Sequence, residues 1–201
     1  MNIRIIGAGG IGSYLIRELY ALQKTGQLVN KSGKPVDICI YDPDEIEQKN
    51  LLYQNFTTND LYENKAIRLS SKYPGIKGVD QKVVSFTGYD KDDIIVSCVD
   101  NKETRLQMFK EMEKLPNIWI DLRSHGRNIA CYVKSKKNTF AVMKDTLPET
   151  SDKSEESCQL SSDLAAGIVQ MGNRIIAMIG AQMLLNVLRG EDYTSSFEIS
   201  I

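Results

Sequence analysis

The sequence has almost no surplus of charge, with 25 basic side chains against 26 acidic ones and a formal net charge of -1. No global field therefore argues for nucleic acid, a membrane surface or a polyanion as partner. Histidine is nearly absent: His125 is the only one, and no serine or cysteine is paired with it in sequence, which weighs against a Ser-His or Cys-His hydrolase. Cysteine is sparse and scattered. Cys39, Cys98 and Cys131 lie in apolar runs, where a small buried thiol is the ordinary reading, and no C-x-x-C pair offers a zinc ribbon. No G-x-x-x-x-G-K-[ST] occurs, so a P-loop NTPase is excluded. The longest apolar stretch, Leu164 to Leu188, carries Gln170, Asn173, Arg174 and Gln182, polar groups that are costly in lipid, so it reads as a buried or interface helix. No leader is expected, because the chain opens directly into a strand, and a reducing, cytoplasmic setting follows.

What is present is an ordinary globular composition. An apolar share of 42% over 201 residues suffices for a real core in a single domain spanning 1–201. Asn2 to Ile6 reads as a strand, Gly7-Ala8-Gly9-Gly10-Ile11-Gly12 as a tight turn, and SYLIRELYALQK as a helix. After a polar connection, Asp37 to Tyr41 forms a second strand ending at Asp42-Pro43-Asp44. Further on, Thr58 or Asn59 is expected to cap a helix over LYENKAIRLSSKY; KVVSF, DIIVSC and NIWID read as strands, and DNKETRLQMFKEMEK as a helix. RNIACYV and TFAVM look like an antiparallel pair, residues 145–158 like a mobile acidic loop, and the chain closes with a long helix and the strand SSFEIS. The pattern predicts an α/β, Rossmann-like, doubly wound and mainly parallel sheet with antiparallel strands in the C-terminal half.

The glycine run contains G-x-G-x-x-G through Gly7, Gly9 and Gly12, with Gly10 inside it, between a strand and a helix. Such a turn lets backbone N–H groups approach a phosphate, which argues for nucleotide binding. Asp42, at the end of the second strand, stands where a ribose-binding carboxylate belongs, delayed by the insertion GQLVNKSGKP.

The segment D-P-D-E-I-E-Q-K-N-L-L-Y-Q over residues 42–54 resembles the D-x-D-x-V-E-x-x-N-L-N-R-Q segment of the ThiF/MoeB/E1-like family. Lys65 in ENKAIRL, Asp100-Asn101 with Arg105, and the region from Gly172 to Val187 are similar to later pieces of that family in the same order. The resemblance implies an E1-like adenylyltransferase, a ubiquitin-like modifier activating enzyme. It uses ATP and Mg²⁺ on the C-terminal carboxylate of a ubiquitin-like or sulfur-carrier protein ending in glycine. It implies that Gly7, Gly9, Gly10 and Gly12 hold phosphates, Asp42 the ribose, Asn50 and Lys65 the triphosphate, and Asp100 the magnesium. Asp44 and Gln54 fall on the same matching segment, and a homodimer or paired subunit is expected.

Three departures accompany the match. Tyr53 replaces the family's phosphate-contacting arginine, no helix bearing an arginine precedes the first strand, and the zinc cysteines of many members are absent. Arg68 and Arg123 are candidates to replace the missing cation. Cys158 follows the acidic loop near an expected helix start, a position that favours a thiolate, although Glu155 and Glu156 oppose it; it is the candidate catalytic thiol. The alternatives are a catalytically silent ThiF-fold module that binds nucleotide or a partner, and an NAD-dependent oxidoreductase.

Overall fold

The computed structural model describes residues 1–135, 141–147 and 161–201. Strands β1 (Asn2–Ile6) and β2 (Asp37–Tyr41) flank helix α1 (Gly10–Lys24), followed by helix α2 (Lys65–Lys72) and strands β3 (Ile76–Val79) and β4 (Ile94–Ser97). Then come helix α3 (Lys102–Met112) and the long strands β5 (Ile118–His125) and β6 (Asn128–Lys134). Helices α4 (Ala141–Asp145), α5 (Ser161–Ala165) and α6 (Gly172–Arg189) precede the last strand, β7 (Ser196–Ser200).

The strands form one sheet in the order β3-β2-β1-β4-β5-β6-β7. Strands β3 to β5 are parallel, and β6 and β7 run antiparallel to their neighbours. Central strands such as β4, buried at every position, need helices on both faces. α1 and α6 pack together on one face with Ile3, Ile5, Val96, Ile120 and Leu122. α3 covers the other through Met108, Phe109 and Met112, against Ile95 and Trp119. After β3 the chain crosses back over β1 to lay down β4, so the carboxyl ends of β1 and β4 open a crevice, the usual ligand position in such sheets.

Four local readings change. KVVSF is not a strand: β3 is Ile76–Val79, in register with β2 from Ile38↔Ile76 to Tyr41↔Val79. Val83 and Phe86 are buried as loop residues under α3, so their apolar character reflects burial without sheet pairing. The second helix begins at Lys65, capped by Asn64, whose side chain accepts from Ile67 N–H; Thr58 and Asn59 belong to a separate 3-10 turn closed by Asp60. TFAVM is not the partner of RNIACYV, because Ala141–Asp145 is helical. β6 pairs with the preceding β5 through the tight turn at Gly126 (φ 62°) and Arg127, and with β7 on its other side. The closing helical region is also divided, with Gly167 (φ 72°) between α5 and α6. The expected loop over 145–158 lies mostly outside the described residues.

Candidate active site

The glycine turn leaves β1 and enters α1. Gly7 has φ 99°, in the left-handed region that glycine alone adopts without strain, and a Cβ there would stand 2.9 Å from the Cys98 carbonyl oxygen. At Gly12 a Cβ would fall 1.9 Å from the Gly7 carbonyl oxygen, so α1 can start this close to the strand only as glycine. Gly10 is covered by the Asn173 amide. Gly9, the residue capping α1, is different: a side chain there would meet only the Gln54 amide, at 3.8 Å. The turn is rigid where it touches protein and open where a phosphate would approach.

The segment after β2 is built around that turn. Asp42 is buried, and its two carboxylate oxygens accept from Ala8 N–H at 2.6 Å and Asp44 N–H at 2.9 Å. Each oxygen keeps a further lone pair. Burial pushes the Asp42 carboxyl above its ordinary range, and Lys65 with the two backbone donors offsets only part of that. Asn50 closes a 3-10 turn by accepting from Glu47 N–H at 2.9 Å, and the Asn50 carbonyl accepts from Gln54 N–H. Asn55 ties the segment to α1, its backbone N–H donating to the Ser13 hydroxyl and its side-chain amide to the Ser13 carbonyl, next to Gln54, whose amide lies nearest Gly9.

Lys65 is not a solvated helix lysine. It is 7% exposed and its Nζ meets Asp44 Oδ2 at 3.0 Å. Across the crevice Asp100 follows β4. Asn101, not Asp100, caps α3 by accepting from Thr104 N–H, which leaves the Asp100 carboxylate uncommitted to capping. Asp100 is itself exposed, but the protein packed around it raises its carboxyl by desolvation, while its own backbone N–H, Lys65 and Arg105 pull the other way. The mutual fields of Asp42, Asp44, Lys65 and Asp100 place them in one electrostatic neighbourhood at the crevice.

The residues present fit a nucleotide and its magnesium. Gln54 Oε1 and both amide atoms of Asn173 are buried without hydrogen-bond partners among the described residues, and both side chains lie against the glycine turn. No cluster of three His, Cys, Asp or Glu side chains is found among the described residues. Mg²⁺ needs none, since it is held by one or two carboxylates and substrate phosphates. The same finding leaves no zinc site of cysteines there.

Of the cluster behind Asp100, Ser97 and Asp121 carried no sequence signal. Asp121 of β5, fully buried, takes Ser97 Oγ at 2.5 Å, Arg105 Nε at 3.2 Å and Arg123 Nε at 2.6 Å. Burial pushes its carboxyl up, but the two guanidinium charges and the Ser97 hydroxyl prevail and hold it below the usual range. Arg105 also donates to the Val99 carbonyl, one residue before Asp100. A cavity of about 480 Å³ opens beside Asp100, walled by Arg105, Arg123, His125, Tyr132 and Glu198. Alternation along β5 could have put Trp119, Asp121 and Arg123 on one face, but not against Arg105 of α3. Arg68 is engaged with Asp60 and Glu63. Cys39, Cys98 and Cys131 are buried thiols outside any disulfide, with burial pushing Cys131 up to about 12. Cys158 lies outside the described residues. Among the described residues no helix is long and apolar enough to cross a membrane.

No curated protein matches the chain. Among solved structures it is similar to PaaA, at 14% identity and TM-score 0.62, over 100% of this chain and 70% of that one. It is also similar to E. coli MccB bound to MccA-N7isoASN (16%, TM-score 0.72) and to the Microcin C7 biosynthetic enzyme MccB in complex with N-formylated MccA (17%, TM-score 0.68). It covers 100% of itself and spans 61% of each MccB chain. These likenesses establish the shared fold. The ThiF family model matches residues 1–199, nearly the whole chain, and with the glycine turn and crevice described above this places the protein in the ThiF family.

Proposed function

We propose that the protein adenylates the C-terminal carboxylate of a peptide or small protein, a ubiquitin-like or sulfur-carrier protein among them, using ATP and Mg²⁺. What supports this reading is the open Gly9, Asp42 held by Ala8 N–H in the same turn, and the Asp44–Lys65 pair whose charges reach both Asp42 and Asp100. In the reaction a carboxylate oxygen of the acceptor attacks the α-phosphorus of ATP, and the bond to the bridging oxygen breaks with its electron pair leaving on pyrophosphate. Such transfer asks the protein mainly for positioning and charge.

The glycine turn and the α1 N-terminus receive phosphate oxygens, Asp42 accepts from the ribose, and Asn50 with Gln54 shapes the wall over Gly9. Lys65 is held by Asp44 in the crevice, ready to share its charge with the triphosphate. Asp100 would hold the magnesium, which would supply positive charge near the phosphate oxygens. Tyr53 offers no cation, so Lys65 and the arginines beside Asp100 carry the charge. MccB bound to MccA peptides supports a peptide terminus as acceptor class as readily as a folded one.

The test is ATP–pyrophosphate exchange with candidate acceptors, free acid against C-terminal amide. Acceptor-dependent exchange that needs the free carboxylate and falls ~100-fold or more in Asp100→Ala is the expected result. Tight nucleotide binding with no exchange against any acceptor would favour a silent ThiF-fold module, and a preference for NAD over ATP an oxidoreductase.

A further inference from the structure

Helices α1 and α6 begin at the same point and run in the same direction. At their starts Gly10 meets Asn173, since a Cβ on Gly10 would stand 2.3 Å from Asn173 Nδ2. Near their ends Arg189 donates to the side chain of Gln27, just past α1. Side-by-side parallel helices bring two partially positive N-termini together. Neither start is neutralised by the chain. Gly9 and Met171 provide no side-chain cap, and neither first turn contains an acidic residue. The start of α6 instead carries Arg174, whose guanidinium lies 4.8 Å over the Tyr14 ring and makes no hydrogen bond or ion pair among the described residues.

Asn173 adds an independent observation. It is 1% exposed, yet neither of its amide atoms has a hydrogen-bond partner among the described residues. A buried donor left unmade is a cost that leucine in that place would avoid, and a ligand oxygen removes it. The glycine turn is thus held at one end by Asp42, through Ala8 N–H at 2.6 Å, and bordered at the other by Asn173. A nucleotide whose ribose meets Asp42 points its phosphates along the turn towards α6. Two helix starts and a guanidinium suit a multiply charged oxyanion better than a single carboxylate.

We infer that the start of α6, through Asn173 and Arg174, binds the β- and γ-phosphates of ATP and the pyrophosphate they become. The inference rests on the adenylation reading for the identity of the nucleotide. Binding of the diphosphate group itself can be measured without any acceptor.

The test is calorimetric titration of the whole protein, in the presence of Mg²⁺, with ATP, AMP and pyrophosphate. Arg174→Gln removes the charge, and Asn173→Leu removes the amide at nearly constant volume. Each should weaken ATP and pyrophosphate about tenfold or more, while AMP changes less than about twofold. Arg174→Lys should recover part of the loss. Arg174 is partly exposed, so Arg174→Gln keeps the test valid if Asn173→Leu folds poorly. Arg17→Gln is the control. That guanidinium lies 5.4 Å over the same Tyr14 ring but is paired with Glu18, and its loss should leave all three affinities at parent values.

Parent-like affinity for ATP and pyrophosphate in both variants would overturn the inference, and adenylation would stand if acceptor-dependent exchange persists in them. Equal losses for ATP and AMP would also overturn it, because the two residues would then only support the turn. Pyrophosphate binding that is lost in Arg174→Gln, in a protein that shows no exchange with any acceptor, would leave the inference standing and defeat adenylation.

Discussion

Gly12 and Asp121 are single residues whose identity is set by what lies within a few ångströms. A Cβ at Gly12 would sit 1.9 Å from a backbone oxygen, which cannot swing away as a flexible side chain can. Gly12→Ala is therefore expected to displace the turn, lower stability by about 1–3 kcal/mol and weaken nucleotide binding more than tenfold. Thermal unfolding and calorimetry with ATP read both effects, and an unchanged affinity would show that the turn is not the phosphate site. Asp121 is the opposite case, a carboxylate at the centre of the sheet that stability does not demand. Replacing a buried ion cluster of this kind by apolar residues is often neutral. What it contributes is direction, since Arg105 and Arg123 are both aimed through it, one at the turn before Asp100 and the other at the cavity wall.

At the scale of elements, α2 is short and polar, and it delivers Lys65 to the crevice from its first turn. Its start is fixed by Asn64, which accepts from Ile67 N–H and donates to the carbonyl of Asp42, joining the helix to the strand end it serves. Asn64→Ala removes both contacts. The expected cost is about 1 kcal/mol for the lost cap, with a fall in thermal midpoint of about 2–4 °C. A parallel drop in nucleotide affinity is expected because Lys65 is the next residue; a destabilised protein with full affinity would uncouple the cap from the site. α6 shows how an element serves two faces. Gly180 lets it approach Leu122 of β5, and Gly190 ends it in the left-handed conformation at φ 72°. Small residues that suggested a partner surface are thus used in part within the chain. Met171 and Met178 remain about half exposed on the same helix.

Elements of strong local character were legible in advance: β1, the glycine turn, α1, β2, α3 and β7 all lie where periodicity and turn chemistry put them. The misplaced ones share a cause. Val83 and Phe86 look like strand residues because they are buried, yet β2 takes Ile76–Val79 instead, and Gly78 is where α2 crosses closely, a Cβ there falling 2.2 Å from the Ala66 carbonyl oxygen. The β5–β6 hairpin was marked by His-Gly-Arg at 125–127, a glycine turn between two apolar runs whose pairing was assigned to the wrong neighbour.

For the whole molecule, acid is the informative perturbation. Burial pushes Asp93 up, but hydrogen bonds from Arg4 and Asn2 outweigh it and leave the carboxyl below its ordinary range. Asp60 is likewise pulled down, against burial, by Thr57 and Arg68, and Asp121 by its two arginines and Ser97. The stability these three supply is fully present above the unfolded carboxylate value of about 4 and is lost as pH falls through their depressed values. Asp42 and Asp100 are raised and act with the opposite sign, gaining stability as they protonate. With the depressed groups in the majority, the urea midpoint should drop steeply below about pH 4. Asp93→Asn, at the amino end of β4 and so opposite the crevice, should start less stable at neutral pH and lose less on acidification. An acid limb as steep as that of the parent would remove Asp93 from the account.

The sequence by itself determined the fold class, the strand–turn–helix around the glycine run and the order of the family segments, because these depend on residues adjacent in the chain. Only the tertiary structure decided that Lys65 is held by Asp44, that Asp100 is free of the helix cap, and that Asp121 gathers arginines from α3 and β5 under a cavity. Those outcomes depend on which strand lies beside which and on burial, and both are set by closing one sheet around two cores. A carboxylate in sequence carries no mark of whether water or a guanidinium will surround it.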